Sequence, residues 1–201
     1  MTLFADGDGN TPLGNTPLSR EEQADLIPNL ATREELNEWE RRNILEAYGW
    51  ALDTKNIGRQ DPVTEPYVRE LHRRMFDQTW RWAGRYRSTE KNIGIPCYQI
   101  RDALAALLGD ARYWLDHRTF APDENAIRLH HRLVFIHPFA NGNGRHARLM
   151  ADVVARRQGR PVFTWGGADI VRAGDFRRSY LEALRAADRN EIAPLLAFAR
   201  S

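Results

Sequence analysis

The sequence predicts an all-α domain of roughly seven or eight helices. The clearest observation is that apolar residues recur every third or fourth position from Ile100 to Leu115, as in an amphipathic helix. A second is a capping box, because Thr32 is followed three residues later by Glu35 and so marks a helix start. The third is composition, since 42% hydrophobic and 28% charged residues in a chain of 201 are typical of a globular domain.

The first half of the chain gives two strong helix predictions. The helix that begins at the capping box extends to about Tyr48. After it, Pro62 and Pro66 mark a turn, because proline does not continue a helix. A further helix is predicted from Tyr67 to about Trp80. The residues expected to be buried on the first of these helices are Leu36, Trp39, Ile44 and Leu45.

The second half contains one irregular segment and the remaining helices. Between Gly84 and Gln99, two glycines and Pro96 interrupt short apolar pieces, which favours a loop or a hairpin. Five helices are predicted after it. The first spans 100–115, the second begins at Pro122 and the third ends near Gly159. The fourth begins at about Gly174, and the fifth spans 191–198.

Composition and charge also indicate the domain organisation, the expected partners and the expected location of the protein. Residues 1–20 are rich in Gly, Asp, Asn, Thr and Pro, so we expect a flexible N-terminal arm before a single domain over 21–201. A net charge of +2 gives no reason to expect nucleic acid or a membrane as a partner. We expect a cytoplasmic location for two reasons. The chain has a single cysteine, and it shows neither a signal-peptide pattern nor an apolar run of ~20 residues.

The segment from His137 to Arg148 carries most of the information about function. It joins two helices through a turn with glycine at 142 and 144. Glycine permits a positive φ and close approach of an anion, and backbone N–H groups at a helix start attract phosphate. Arg145 and Arg148 are three residues apart, so they share a helix face and can contact one polyphosphate. His137, at the mouth of the turn, has an ordinary pKa that suits proton abstraction near neutral pH.

This segment resembles the signature of the Fic family, H-P-F-x-D/E-G-N-G-R-x-x-R, and it matches every fixed position except Asn141. A second similarity lies upstream, in Trp82-Ala83-Gly84 with Arg87 and in Asn92-Ile93-Gly94. The resemblance implies a helical bundle with a small β-hairpin flap, and transfer of AMP from ATP to a Ser, Thr or Tyr hydroxyl of a target protein. With asparagine at 141, the chain resembles a Fic subgroup called mobile mystery protein B, whose signature has asparagine at this position. That resemblance implies a toxin-like or regulatory role.

The resemblance also implies a role for each matching residue. His137 is expected to be the general base that takes the proton of the target hydroxyl. Arg145, at the β-phosphate, is expected to act in both catalysis and binding, and Arg148 to meet the γ-phosphate. The Asn143 side chain is expected to add a donor. The residues whose main-chain N–H groups are expected to hold the α- and β-phosphates are Gly142, Asn143 and Gly144.

Asn141 stands where the family has an acid that holds Mg²⁺ between the nucleotide phosphates. An amide oxygen is a weaker ligand for a hard cation than a carboxylate is. Three outcomes are open, namely weak Mg²⁺ binding through Asn141 and the phosphates, a metal-independent reaction, or nucleotide binding without efficient transfer. The first is the expectation. The last makes a nucleotide-binding regulatory or partner-binding protein the alternative function.

Residues 88–99 correspond to the family's flap, which holds an extended target segment by strand addition. Ile95 and Tyr98 are its expected clamp residues, and a hairpin that only covers the core is the alternative. ATP is the expected nucleotide, with another NTP left open. The inhibitory motif of many Fic proteins is not found, since Leu36 stands where its Glu belongs. An antitoxin-like protein is therefore a candidate inhibitor.

Overall fold

The helical prediction is confirmed by the computed structural model, which describes residues 18–167 and 173–201, without the side chains of 173–176. Most of the predicted arm therefore lies outside the described residues. Strand-like pairing among the described residues is limited to isolated bridges, Leu26 with Trp80 and Tyr86 with Phe139. The helices are α1 (Arg20–Ala24), α2 (Arg33–Leu52), α3 (Thr54–Ile57), α4 (Glu65–Phe76), α5 (Ile100–His117), α6 (Pro122–Ile136), α7 (Asn143–Arg157), α8 (Ala173–Asp188) and α9 (Ala193–Arg200).

Helix α7 lies at the centre of the domain. Helix α6 packs along it, and α2 and α4 pack on each other and on α7. Helices α5 and α9 lie against α6, and α8 packs on α9. Because α7 begins at the predicted signature turn, that turn is anchored directly in the hydrophobic core. The buried residues of α7 are Asn143, His146, Ala147, Leu149, Met150, Ala151, Asp152, Val153, Val154 and Ala155.

Helix α2 begins at the predicted capping box. The Thr32 hydroxyl accepts the Glu35 N–H at 3.1 Å, and the Glu35 carboxylate accepts the Thr32 N–H at 3.1 Å. The helix continues beyond Tyr48 to Leu52. Leu36 is buried as predicted, but the prediction for Trp39 and Leu45 is wrong, since they are 36% and 58% exposed.

The packed face of α2 is built from small and polar residues, which explains that error. Ala47 and Ala51 are buried, and they allow close approach of the neighbouring helices. Asn43 is also buried, and its amide donates to the Arg74 carbonyl at 2.9 Å. Leu36 and Ile44 also pack on this side, so hydrophobicity selected part of the buried face but misassigned Trp39 and Leu45 to it.

Helix α4 ends at Phe76 rather than near Trp80. The Phe76 carbonyl accepts from both the Thr79 and the Trp80 N–H, at 3.0 and 2.8 Å, and this closes the helix with a turn. Trp80 and Trp82 then stack at 5.1 Å as buried core residues.

The predicted β-hairpin over residues 88–99 is wrong. The segment is a loop that ends in a 3-10 turn at Cys97–Gln99. Three of its backbone groups are bonded to side chains instead of to a partner strand: the Arg87 guanidinium donates to the Thr89 and Ile95 carbonyls, and Glu90 accepts the Cys97 N–H.

None of the described helices is both long enough and apolar enough to cross a membrane.

Candidate active site

His137 caps the end of α6 in a strained conformation. Its φ of 54° and ψ of 60° are left-handed, which costs a non-glycine residue about 1–2 kcal/mol. The His137 N–H donates to the Leu133 carbonyl at 3.0 Å, and the Arg87 Nε donates to the His137 carbonyl at 2.7 Å. The Arg87 side chain is itself fully buried. Strain of this kind persists only where surrounding bonds hold it, and such residues cluster at functional sites.

The imidazole of His137 has the protonation state that a general base needs. Burial, together with the nearby positive charges of Arg87 and Lys91, lowers the pKa of His137 to about 4. The ring is therefore neutral at pH 7. Its Nδ1 lies 3.3 Å from the Val134 carbonyl, so Nδ1 carries the proton and donates it there. In this tautomer Nε2 is the nitrogen that can take a proton from a substrate.

Gly142 makes the turn between His137 and α7. It is the N-cap of α7 and has a φ of 77°. A Cβ at this position would lie 2.5 Å from Cε2 of Phe76, so the backbone is pressed against that buried ring. Both the positive φ and the close approach require glycine here.

The first turn of α7 points main-chain donors into the site. The first helical bond of α7 runs from the His146 N–H to the Gly142 carbonyl at 2.9 Å. The N–H groups of residues 143–145 precede it and have no acceptor within the helix, which is the arrangement that binds phosphate at helix N-termini. This fits the predicted backbone roles of Asn143 and Gly144, whereas the Gly142 N–H already donates to Asn141 Oδ1 at 2.6 Å.

The predicted role of the Asn143 side chain is wrong. Its Oδ1 accepts the Phe139 N–H and its Nδ2 donates to the Phe139 carbonyl, both at 2.9 Å. Asn143 is 3% exposed. The amide therefore braces the turn from inside the core and is not available as a phosphate donor.

Arg145 and Arg148 both line the cavity in front of the turn, as the sequence predicts. The Arg145 guanidinium donates to the Glu40 carboxylate at 2.7 Å and lies 5.0 Å from the centre of the Phe76 ring. The Arg148 guanidinium lies 5.6 Å from the Tyr180 ring. Glu40 is also held by Trp80, whose indole N–H donates to it at 2.8 Å. A bound phosphate would compete with Glu40 for Arg145.

The cavity has a volume of about 480 Å³, and its charged lining residues, among those that the structure describes, are four arginines and one glutamate. The sequence predictions missed the side that α2 and α8 contribute. The signal was present on α2, because 33, 36, 37 and 40 follow the i, i+3, i+4, i+7 spacing of one helix face. The additional lining residues include Arg33, Leu36, Asn37 and Glu40 from α2 and Arg177, Tyr180 and Leu181 from α8.

Asn141 offers a poor ligand for a cation in the arrangement observed. Its Oδ1 accepts the Gly142 N–H at 2.6 Å and lies 3.4 Å from an Arg145 Nη2 that can donate to it. An oxygen that faces two donors must turn away from them before it can bind a metal. Within 18–167 and 173–201, no cluster of three or more His, Cys, Asp or Glu side chains could hold a metal ion.

The predicted flap segment runs beside the base at Gly94, and none of its described residues lines the phosphate cavity. A Cβ on Gly94 would lie 2.5 Å from Cβ of His137, so the 88–99 loop runs directly against the base. The loop is tied to the segment before α2 by an ion pair between Lys91 and Glu22. Ile95 is half-buried against the core, and Tyr98 is 77% exposed.

Comparison with known proteins agrees with this arrangement. The sequence model of the Fic/DOC family matches residues 62–155. The chain is 33% identical over 146 residues to a protein adenylyltransferase Fic of Nematostella vectensis, which covers 71% of this chain and 33% of that protein. It is 28% identical over 142 residues to protein adenylyltransferase fic-1 of Caenorhabditis elegans, with 69% and 27% covered. The chain thus spans about a third or less of these curated relatives.

Solved structures give the same result for the fold. Residues 134–508 of Fic-1 from C. elegans match with a TM-score of 0.63 and 25% identity, covering 90% of this chain and 52% of that one. The BepC protein of Bartonella tribocorum, solved with bound AMPPNP, matches with a TM-score of 0.64 and 18% identity, covering 90% and 97%. Family match, relatives and fold agree with one another, and this chain therefore contains a Fic/DOC family domain.

Proposed function

We propose that this protein is a protein adenylyltransferase that transfers AMP from ATP to a Ser, Thr or Tyr hydroxyl of a target protein. The observation that carries the proposal is a neutral, buried histidine beside a helix N-terminus whose donors and arginines line one basic cavity. Relatives at 27–33% identity named protein adenylyltransferases support it. The BepC protein, which was solved with bound AMPPNP, has the same fold, and this also supports the proposal.

The reaction follows from the placement of these groups. The target hydroxyl gives its proton to Nε2 of His137, and its oxygen attacks the α-phosphorus. The bond from the α-phosphorus to the bridging oxygen breaks, and pyrophosphate leaves with that electron pair. The N–H groups at the start of α7 stabilise the charge that develops on the phosphates, because these donors are already in place. The Arg145 guanidinium adds to this stabilisation once a phosphate has displaced Glu40 from it. Arg148 would hold the outer phosphate.

Magnesium enters this proposal with the nucleotide. When bound, Mg²⁺ neutralises part of the phosphate charge, and few protein ligands are normal for it. Asn141 would contact the ion only after its amide turns away from Gly142 and Arg145. We therefore infer a weakly held ion that depends mostly on phosphate oxygens. A nucleotide-binding protein without efficient transfer is the second candidate, and the engaged Asn141 oxygen is what favours it.

The target is proposed to dock on the 88–99 loop, which lies against the base. Strand addition needs only an extended edge with unpaired backbone groups, so it does not require a complete hairpin in the absence of the target. Ile95 and Tyr98 remain the proposed clamp residues. An antitoxin-like inhibitor, the toxin-like role and a cytoplasmic location are proposed on the resemblance and composition alone.

The test is mass spectrometry of the protein after incubation with each Mg²⁺-NTP and a cell lysate. Transfer adds one nucleoside monophosphate to the chain itself or to a target. An adduct formed from ATP supports the adenylyltransferase. An adduct formed only from another NTP would mean that a different nucleoside monophosphate, and not AMP, is the transferred group. If an adduct forms only after Asn141→Asp, the natural chain is a weak enzyme. If nucleotide binds but no variant forms an adduct, the second candidate is correct.

The lowered pKa of His137 predicts an unusual pH profile. A base must be deprotonated to act, and burial lowers the pKa of His137 to about 4. We expect kcat/KM to stay level from pH 8 down to about pH 5.5 and to fall only below that. A base with an ordinary histidine pKa would lose activity around pH 6.5 instead. The measurement is the initial rate of transfer across this range, with circular dichroism at each pH to separate loss of fold from titration.

A further inference from the structure

His72, on α4, is a fully buried histidine with a partner at each ring nitrogen. The Gly84 N–H donates to Nδ1 at 3.0 Å, and Nε2 lies 3.0 Å from the Asn141 carbonyl. An N–H can only donate and a carbonyl can only accept, so these partners fix the tautomer. Nδ1 carries the lone pair and Nε2 carries the proton. A second ring proton, on Nδ1, would clash with the Gly84 N–H, which already points at that nitrogen. Burial also lowers the pKa of His72 well below its usual value, so the ring is neutral.

The surroundings of His72 allow the ring little movement. It is 0% exposed and stacks on Phe139 with ring centres 3.7 Å apart and an angle of 15°. The centre of the Phe76 ring lies 4.8 Å from that of His72, and the two ring planes are tilted by 40°. Phe139 is part of the signature, and Phe76 is the ring under Gly142. His72 therefore packs on the same aromatic residues that support the turn.

The bond from His72 determines which way the start of the turn faces. The Asn141 carbonyl belongs to the peptide unit that contains the Gly142 N–H. That unit is planar and trans, so the carbonyl and the N–H point in opposite directions. Holding the carbonyl towards the core keeps its negative end away from the cavity, where it would repel phosphate. It also fixes the orientation in which the turn leads into α7.

We propose that His72 is a positioning residue that holds the Asn141 carbonyl in the core and thereby keeps the 142–144 turn in its phosphate-binding orientation. This proposal rests on the proposed nucleotide site. It assigns His72 no contact with the substrate. It differs from a packing role because it predicts a defect in nucleotide binding that depends on the Nε2–H and not on ring volume.

His146 provides a matched control. It is 1% exposed, its ring centre lies 5.6 Å from that of His72, and burial lowers its pKa to about 4. Its Nε2 donates at 2.9 Å to the Val68 carbonyl, which lies in α4 and not in the turn. If buried histidines here matter only for packing, replacing either one will have the same consequence for nucleotide binding.

The experiment measures the ATP dissociation constant and the melting temperature of His72→Phe, His72→Gln and His146→Phe beside the wild type. Phenylalanine keeps the ring and loses both hydrogen bonds, whereas the glutamine amide can again donate to the Asn141 carbonyl. We expect His72→Phe to weaken ATP binding about tenfold or more, and His72→Gln to restore it to within about threefold. His146→Phe should bind ATP like the wild type even where it lowers the melting temperature equally. If His72→Phe does not fold, His72→Asn replaces it, because asparagine can accept from Gly84 but is too short to reach Asn141.

The outcomes separate this proposal from the proposed function. Unchanged ATP binding in a folded His72→Phe or His72→Asn overturns the positioning role, and so does equal weakening by His146→Phe. If the wild-type chain binds ATP but forms no adduct, the proposed transferase function is overturned. The dissociation constants of the variants then still decide whether His72 has the positioning role. A wild-type chain that does not bind nucleotide overturns both.

Discussion

Replacing His137 by alanine is expected to lower AMP transfer by at least about 10²–10⁴-fold while leaving ATP binding close to the wild-type value. The proton of the attacking hydroxyl has no other acceptor among the residues proposed to act at this position. The phosphates are proposed to be held by separate groups that line the cavity, namely the N–H groups at the start of α7 together with Arg145 and Arg148. The loss should therefore appear in kcat and not in the dissociation constant. Single-turnover rates and ATP titrations on the same preparation measure the two quantities.

Two further variants make this prediction specific. His137 has a φ of 54°, which alanine adopts only under strain, whereas asparagine tolerates it better. His137→Asn should therefore be inactive with a near-normal melting temperature. His131 also lies on α6, but it bonds Asp188 at 2.8 Å, so His131→Ala should retain transfer. Transfer by His137→Asn at more than about a tenth of the wild-type rate would mean that another group is the base.

Local signals in the sequence were enough to predict the long helices and the turn before α7, but not the short helices α1 and α3. A capping box acts within four residues, so Thr32 and Glu35 predicted the start of α2 correctly. The turn could also be recognised because its glycines and arginines lie within a few positions of one another. The fixed spacing of these residues carries the geometry, since α7 begins at Asn143 directly after Gly142.

Features that depend on distant contacts could not be predicted in this way. The 88–99 loop looked like a hairpin because its glycines and short apolar pieces are typical of one. In the structure the buried Arg87 guanidinium instead bonds carbonyls both in the loop and at His137, and the loop residues that the structure describes do not pair as strands. The pairing of Glu40 with Arg145 joins residues 105 positions apart, and no local pattern reports such a contact.

The site is thus assembled from elements that are far apart in sequence and share one aromatic support. Phe76 at the end of α4 lies beneath both Gly142 and Arg145, and its ring is 4.8 Å from His72. Phe139 stacks on His72, and its backbone is bonded by the Asn143 amide. Movement of either aromatic ring would reach the donors and the arginine together. Residues that never contact the nucleotide are therefore expected to influence its binding.

Gly142→Ala is expected to destabilise the fold and to disrupt the phosphate site at once. The new Cβ would lie 2.5 Å from Cε2 of Phe76, which is fully buried and cannot move aside without disturbing the core. The φ of 77° adds the cost of a left-handed alanine. Overpacking of about 1–3 kcal/mol and backbone strain of about 1–2 kcal/mol together predict a loss of about 2–5 kcal/mol in the free energy of unfolding. Relief of the clash would shift the turn, so ATP binding should weaken by about tenfold or more.

Gly159→Ala separates the two causes, because Gly159 has a nearly equal φ of 75° and open space around it within 4 Å. This control should lose only about 1–2 kcal/mol and should bind ATP normally. A Phe76→Leu change combined with Gly142→Ala removes part of the ring that the new methyl group meets. The double variant should therefore lose less stability than the sum of the single variants, which denaturant unfolding can measure as a coupling energy. Equal losses for the Gly142 and Gly159 variants would mean that backbone strain alone, and not contact with Phe76, requires glycine in the turn.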